Sequence, residues 1–131
     1  MKLLVPEPGT AVVAQVWLGA DRRVSSPLLY PEARAALGRA RRVSRLTPAQ
    51  LGVARRRITA LWEAVERVEF TEALGQHAGD LAEHHGLRAY DAVHLASLES
   101  LGAPDTVLVS ADEKLLEAAS AIGFATLRPA D

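Results

Sequence analysis

At 131 residues, with 49% apolar and 24% charged side chains, the chain has the composition of one soluble globular domain large enough for a real core. It holds no cysteine, which excludes disulfides, thiolate metal sites and a cysteine nucleophile, and fits a reducing cytoplasm. No run approaches the roughly 18 consecutive apolar residues of a membrane span, and the opening MKLLVPEPG lacks the apolar region and small-residue cleavage site of a signal peptide.

The formal net charge of −1 joins two unlike stretches. Residues 1–62 carry 11 Lys and Arg against 3 acids; residues 63–131 carry 4 against 13. Such a split suits contact with a polyanion or an acidic partner, and two solvated faces that offset each other explain the same counts.

In chain order, residues 1–9 read as extended chain or loop, broken by Pro6, Pro8 and Gly9. Residues 10–20 form a short helix with Thr10 as N-cap and Gly19 as C-cap. A short strand follows over residues 24–26. Ser25 or Ser26 then caps a helix that starts at Pro27 and continues through YPEARAALGRARR despite Pro31. Thr47-Pro48 is an N-cap followed by proline at the first helical position, and that helix runs to about Val65.

Residues 67–71, RVEFT, alternate and carry β-formers, so a strand is expected there. Thr71 caps the next helix, which runs through His85 and is closed by Gly86. LRAYDAVHLASL, residues 87–98, continues as a nearly all-apolar helix, expected inside a domain, that ends near Gly102. TVLV, residues 106–109, has the continuous apolar character of a buried parallel strand. Ser110 or Asp112 starts the last helix, which Gly123 ends before a final strand over residues 124–127. Strands separated by helices predict an α/β fold, a parallel sheet with helices on both faces. Its active site is expected at the carboxyl ends of the strands, where Asp112 falls.

Three acids stand out: Glu32, Asp91 and Asp112, each in or near the first turn of a predicted helix among apolar residues. Acids there cap free amides and offset the helix dipole for about 0.3–1 kcal/mol. Gathered at one sheet edge, they would repel one another unless a divalent cation neutralised them. An all-oxygen set selects hard ions, Mg2+ or Mn2+, which position a phosphate ester and activate water. His94 follows Asp91 by three residues on the same side of the helix, which suits a transition-metal pair or a buried histidine satisfied by hydrogen bonds. His77, His84 and His85 match no zinc spacing. The arginines from Arg34 to Arg57 lie in a stretch with no acid between Ala33 and Trp62 and no interleaved aromatic. Contact with backbone phosphates or a solvated helical face follows, rather than base stacking.

At these residues the chain resembles a PIN-domain ribonuclease of the VapC toxin type. LRAYDAVHLASL resembles the family's hallmark helix with its site Asp, here Asp91. SADEKLLEAA after TVLV resembles the segment carrying the last acid, here Asp112, and SSPLLYPEARAAL the segment carrying the helical Glu, here Glu32. The likeness spans essentially the whole chain and implies a three-layer α/β/α domain with a short central parallel sheet. It also implies a cytoplasmic endoribonuclease in which Glu32, Asp91 and Asp112 surround Mg2+ or Mn2+, while Arg88, Arg34, Arg41 and Arg42 hold the RNA backbone. A homodimer and a cognate antitoxin are the implied partners.

The family opens with a first strand and an Asp-Thr-Ser turn, and this chain begins at Met1-Lys2-Leu3, where the strand has already passed. Residues 1–131 are therefore expected to form a single PIN-like domain, truncated at its N-terminus relative to the family, that cleaves RNA poorly. A start site assigned too late accounts for that, and so does a catalytically inactive binding module that retains the dimer and antitoxin surfaces.

Overall fold

The computed structural model describes residues 10–102 and 105–129; the opening loop, and the truncation expected ahead of it, lie outside them. Helices and short strands follow one another as α1 (Thr10–Gly19), β1 (Val24–Ser25), α2 (Leu29–Arg42), α3 (Pro48–Glu63), β2 (Glu66–Arg67), α4 (Glu72–His85), α5 (Ala89–Ser100), β3 (Val107–Val109), α6 (Glu113–Ala121) and β4 (Ala125–Leu127). They fall into two compact units, divided between Arg67 and Val68.

In the first unit β1 and β2 pair in parallel, Val24 opposite Glu66 and Ser25 opposite Arg67. α2 starts two residues later than the Pro27 expected from sequence. The buried Ser26 hydroxyl accepts the Leu28 N–H at 3.1 Å and its carbonyl accepts the Leu29 N–H at 3.3 Å, so a turn precedes the helix. Pro31 falls in the first turn of α2, where an N–H has no partner within the helix and its loss costs little. At the other end Ser44 adopts a left-handed φ of 61°. The Ser44 N–H reaches the Arg41 carbonyl and the Arg45 N–H the Ala40 carbonyl, a Schellman ending made without glycine.

α3 has a reciprocal cap. The Thr47 hydroxyl accepts the Gln50 N–H at 3.1 Å, and the Gln50 side chain accepts the Thr47 N–H at 2.8 Å. Leu37, Ala40, Leu46, Ala54 and Ile58 form the core that α2 and α3 share, with Tyr30, Ala33 and Leu51 packed on it.

In the second unit α4 runs from its Thr71 cap to Gly86, whose φ of 66° turns the chain into α5. The helix expected at residues 87–98 is buried as its sequence requires. Asp91, Ala92, Val93, Leu95, Ala96, Ser97 and Leu98 are all inside, Leu95 completely. α5 packs against α4 and α6, and β3 pairs in parallel with β4, Val107 opposite Ala125.

Two strand expectations need correction. The strand expected over residues 67–71 is only Glu66–Arg67. Thr71 and Phe70 belong to the start of α4: Thr71 is its cap, and the Phe70 ring lies over Gly75, where a Cβ would come within 3.2 Å of the ring. That is a hydrophobic staple with glycine as its floor. TVLV is not buried throughout, since Val107 and Val109 are 49% and 38% exposed while Thr106 and Leu108 are half-covered. Successive strand residues point to opposite faces, so in this short ladder only Leu108 faces packed neighbours. Among the described residues the parallel pairing is made as two two-stranded ladders.

Candidate functional site

Asp91 is the third residue of α5, after an extended Arg88 at the helix N-cap (φ −66°, ψ 155°). At 6% exposure its carboxylate is inside. A buried carboxylate needs a charged or hydrogen-bonding partner, and the positive end of α5 supplies only part of that. The rest comes from Arg88, whose Nε donates to Asp91 Oδ2 at 3.1 Å.

Asp112 reaches the same guanidinium from α6. It is the N-cap of that helix, and its Oδ1 accepts the Leu115 N–H at 2.9 Å. The Ser110 hydroxyl accepts the Asp112 N–H at 3.1 Å, which fixes the turn between β3 and α6. With Oδ1 held by the helix, Oδ2 accepts from Arg88 Nη2 at 3.1 Å. One guanidinium thus joins the N-termini of α5 and α6 through two carboxylates. It lies 4.7 Å above the Tyr90 ring, and its side chain is 63% exposed. The hydrogen bond to Asp91 raises the Arg88 pKa above its ordinary value, with the charges of Asp91, Tyr90 and Asp112 adding and burial opposing. An upward shift on a base is stabilising below the unfolded value and is lost only as pH rises past the folded one. The bridge therefore keeps its positive member throughout the range in which proteins fold.

Glu32 stands in the first turn of α2, as expected, half-buried and with an interaction of its own, in the first unit. Among the described residues no group of three or more His, Asp or Glu side chains stands together as metal ligands would. The acids brought together are thus Asp91 and Asp112, through Arg88. Arg34, half-buried, folds back along α2, its Nη1 donating to the Tyr30 hydroxyl at 2.8 Å with its guanidinium 5.7 Å from that ring. Arg41 and Arg42 occupy the last turn of α2 with Arg39, where cations offset the negative helix end.

The histidines take structural partners. His77 Nε2 meets Glu99 Oε2 at 3.2 Å, His84 and His85 stack edge to face at 4.6 Å, and His94 is half-buried and partnered. An open depression of about 560 Å3 beside α4 and α5 includes Val68, Thr71, Leu74, His77 and Glu99 in its lining. It contains neither Asp91 nor Asp112; Glu99 lies about 12 Å further along α5, so the depression is not the acid site.

Sequence reasoning assigned Arg88 to RNA and missed its bridge between the acids. It also missed Tyr90 beneath the guanidinium and the positioning role of Ser110. The signals were present in the Arg-x-x-Asp spacing of residues 88–91 and the Ser-x-Asp of residues 110–112.

A parallel-stranded α/β chain with carboxylates at the helix starts matches the PIN domain family over residues 1–121. The chain belongs to that family. It is 44% identical over 123 residues to two Mycobacterium tuberculosis proteins, ribonuclease VapC45 of strain CDC 1551 / Oshkosh and ribonuclease VapC49 of strain H37Rv. Each alignment covers 94% of this chain and 85% of the relative. Among the described residues no helix is long and apolar enough to cross a membrane.

Proposed function

We propose that this chain is a cytoplasmic endoribonuclease of the VapC toxin type, a single PIN-like domain over residues 1–131 that hydrolyses RNA phosphodiester bonds with Mg2+ or Mn2+. The supporting observation is the convergence of Asp91 and Asp112 on one cationic group. Two carboxylates that already share a positive charge form a hard, all-oxygen donor set of the kind divalent ions select. Asp91 and Asp112 would hold the ion, with Glu32 as the third acid of the family pattern. When bound, such an ion polarises a phosphoryl oxygen and makes water a stronger nucleophile.

The chain's own residues do the rest. Burial keeps water from competing for Asp91, and the α6 cap locks the Asp112 carboxylate in one orientation. Glu32 would ligate the ion or help orient the attacking water. Arg88 contacts the substrate phosphate, while Arg34, Arg41 and Arg42 take the neighbouring backbone. The similarity to proteins named as ribonucleases supports the substrate class. The partners on this reading are a second copy of the chain and a small cognate antitoxin.

A second reading is a non-catalytic PIN-fold module that keeps those partner surfaces. Arg88 favours it, because the acid pair is already neutralised from within the chain. RNA cleavage with and without Mn2+ separates the two. On the enzyme reading, cleavage requires the ion and falls to background in Asp91→Asn and Asp112→Asn. Cleavage indifferent to chelator or to both substitutions would refute it, and no cleavage at any Mn2+ concentration would leave the binding module in its place.

A further inference from the structure

We propose that Arg88 is an internal competitor for the metal site: its guanidinium and a divalent cation use the same oxygens of Asp91 and Asp112, so each excludes the other. The inference rests on reading those two acids as metal-binding residues and adds what that reading omits, the group that must leave.

The geometry is specific about the shared atoms. Arg88 holds Oδ2 of Asp91 and Oδ2 of Asp112, each at 3.1 Å. The other oxygen of Asp112, Oδ1, already accepts the Leu115 N–H at 2.9 Å as the cap of α6. Oδ2 is the oxygen free of the helix, and a cation drawn to it meets the guanidinium of Arg88 at 3.1 Å from that atom. Charge points the same way: a guanidinium beside a divalent ion on the same two carboxylates is a like-charge contact in a partly desolvated place.

The exchange is mechanically easy. Arg88 is anchored by its backbone at the α5 N-cap, but its side chain is 63% exposed, so leaving the acids unpacks no core. The Tyr90 ring already lies 4.7 Å from the guanidinium while it bridges the acids, an aromatic contact that leaving them need not break. Once displaced, Arg88 is a free cation at the rim of an ion-loaded site, placed to meet a substrate phosphate. Arg88 thus has two successive roles: counter-ion of the acids without metal, and phosphate contact with it. It positions the site and sets how much metal is needed to open it.

Mn2+ titration of the full chain tests this, with binding followed directly and by thermal unfolding. Arg88→Gln keeps the length of the side chain and removes its charge. Without metal it should unfold at lower temperature than wild type, because two carboxylates lose their counter-ion. Its Kd for Mn2+ should be about tenfold tighter and its Mn2+-induced thermal shift larger. A merely structural role would lower stability equally with and without Mn2+. Arg88→Lys, which keeps the charge and lacks the fork, should fall between and serves if Arg88→Gln does not fold. In wild type, Mn2+ should increase labelling of Arg88 by an arginine-selective dicarbonyl, read by mass spectrometry. Equal or weaker Mn2+ binding in Arg88→Gln, or unchanged labelling, overturns the competition while leaving the metal site standing. No Mn2+ binding in either protein, or binding that survives Asp91→Asn, overturns the metal site and the competition together.

Discussion

The two units are made from the same parts, helices with a two-stranded parallel ladder, and use charge in opposite ways. Residues 1–67 carry 12 Lys and Arg against 5 acids, and residues 68–130 carry 3 against 10. In the first unit the arginines find aromatic rings and a helix end. Arg23 lies 5.0 Å from the Trp17 ring, Arg34 5.7 Å from Tyr30 and Arg67 4.7 Å from Trp62, while Arg39, Arg41 and Arg42 close α2. These contacts are local, and a long-range ion pair of this unit, Arg22 with Glu66 at 2.8 Å, lies exposed at the surface. In the second unit two acids at helix starts converge on a single arginine from elements 24 residues apart, and one of them is buried. The more numerous charges are the less informative ones. What marks a site is charge that the fold has gathered and taken from water.

That contrast can be broken by substitution. The largest effect belongs to the core that carries the acids. Leu95→Ala removes a fully buried side chain from the middle of α5 and should cost about 2–5 kcal/mol by denaturant unfolding. A loss well under 1 kcal/mol would mean that α5 is not the packed centre of its unit.

A smaller effect separates the two jobs of Asp112. Asp112→Ala loses both the cap and the partner of Arg88 and should cost about 0.5–2 kcal/mol. Asp112→Asn can still cap α6 and should recover most of that stability while losing affinity for Mn2+. Equal stability of the two variants would show that capping is not what holds Asp112 in place.

The smallest change falls in the first unit, away from the acids. Ser44 holds a left-handed φ that costs an L-residue about 1–2 kcal/mol. Ser44→Gly should relieve that strain, with a net gain of about 0.5–1 kcal/mol once the freer unfolded chain is counted. It should leave Mn2+ affinity unchanged. A loss of stability would contradict the Schellman ending assigned to α2.

Much of this organisation was legible in the sequence. Leu87, Ala92, Val93, Leu95, Ala96 and Leu98 mark a buried helix, and Thr47, Thr71, Gly86 and Asp112 mark helix ends, because caps and periodicity are local signals. The acids at helix starts were visible for the same reason. The left-handed turn at Ser44 was not, since the residue that normally marks it, glycine, is absent. The strand at residues 67–71 was overestimated because Phe70 and Thr71 have β propensity and yet serve the start of α4, where packing on Gly75 outweighs it. The Arg88 bridge was hidden because its second partner comes from another helix, and only the fold puts α5 and α6 side by side.

On the reading proposed above, Asp91 and Asp112 hold a divalent cation. Thermal unfolding of wild type and Asp91→Asn with and without Mn2+ tests it most directly. A cation that binds only the folded chain adds about 2.7 kcal/mol at a hundred times its Kd. Wild type should therefore unfold at clearly higher temperature with Mn2+, and Asp91→Asn should not respond. An equal rise in both proteins, or none in wild type, would contradict the claim.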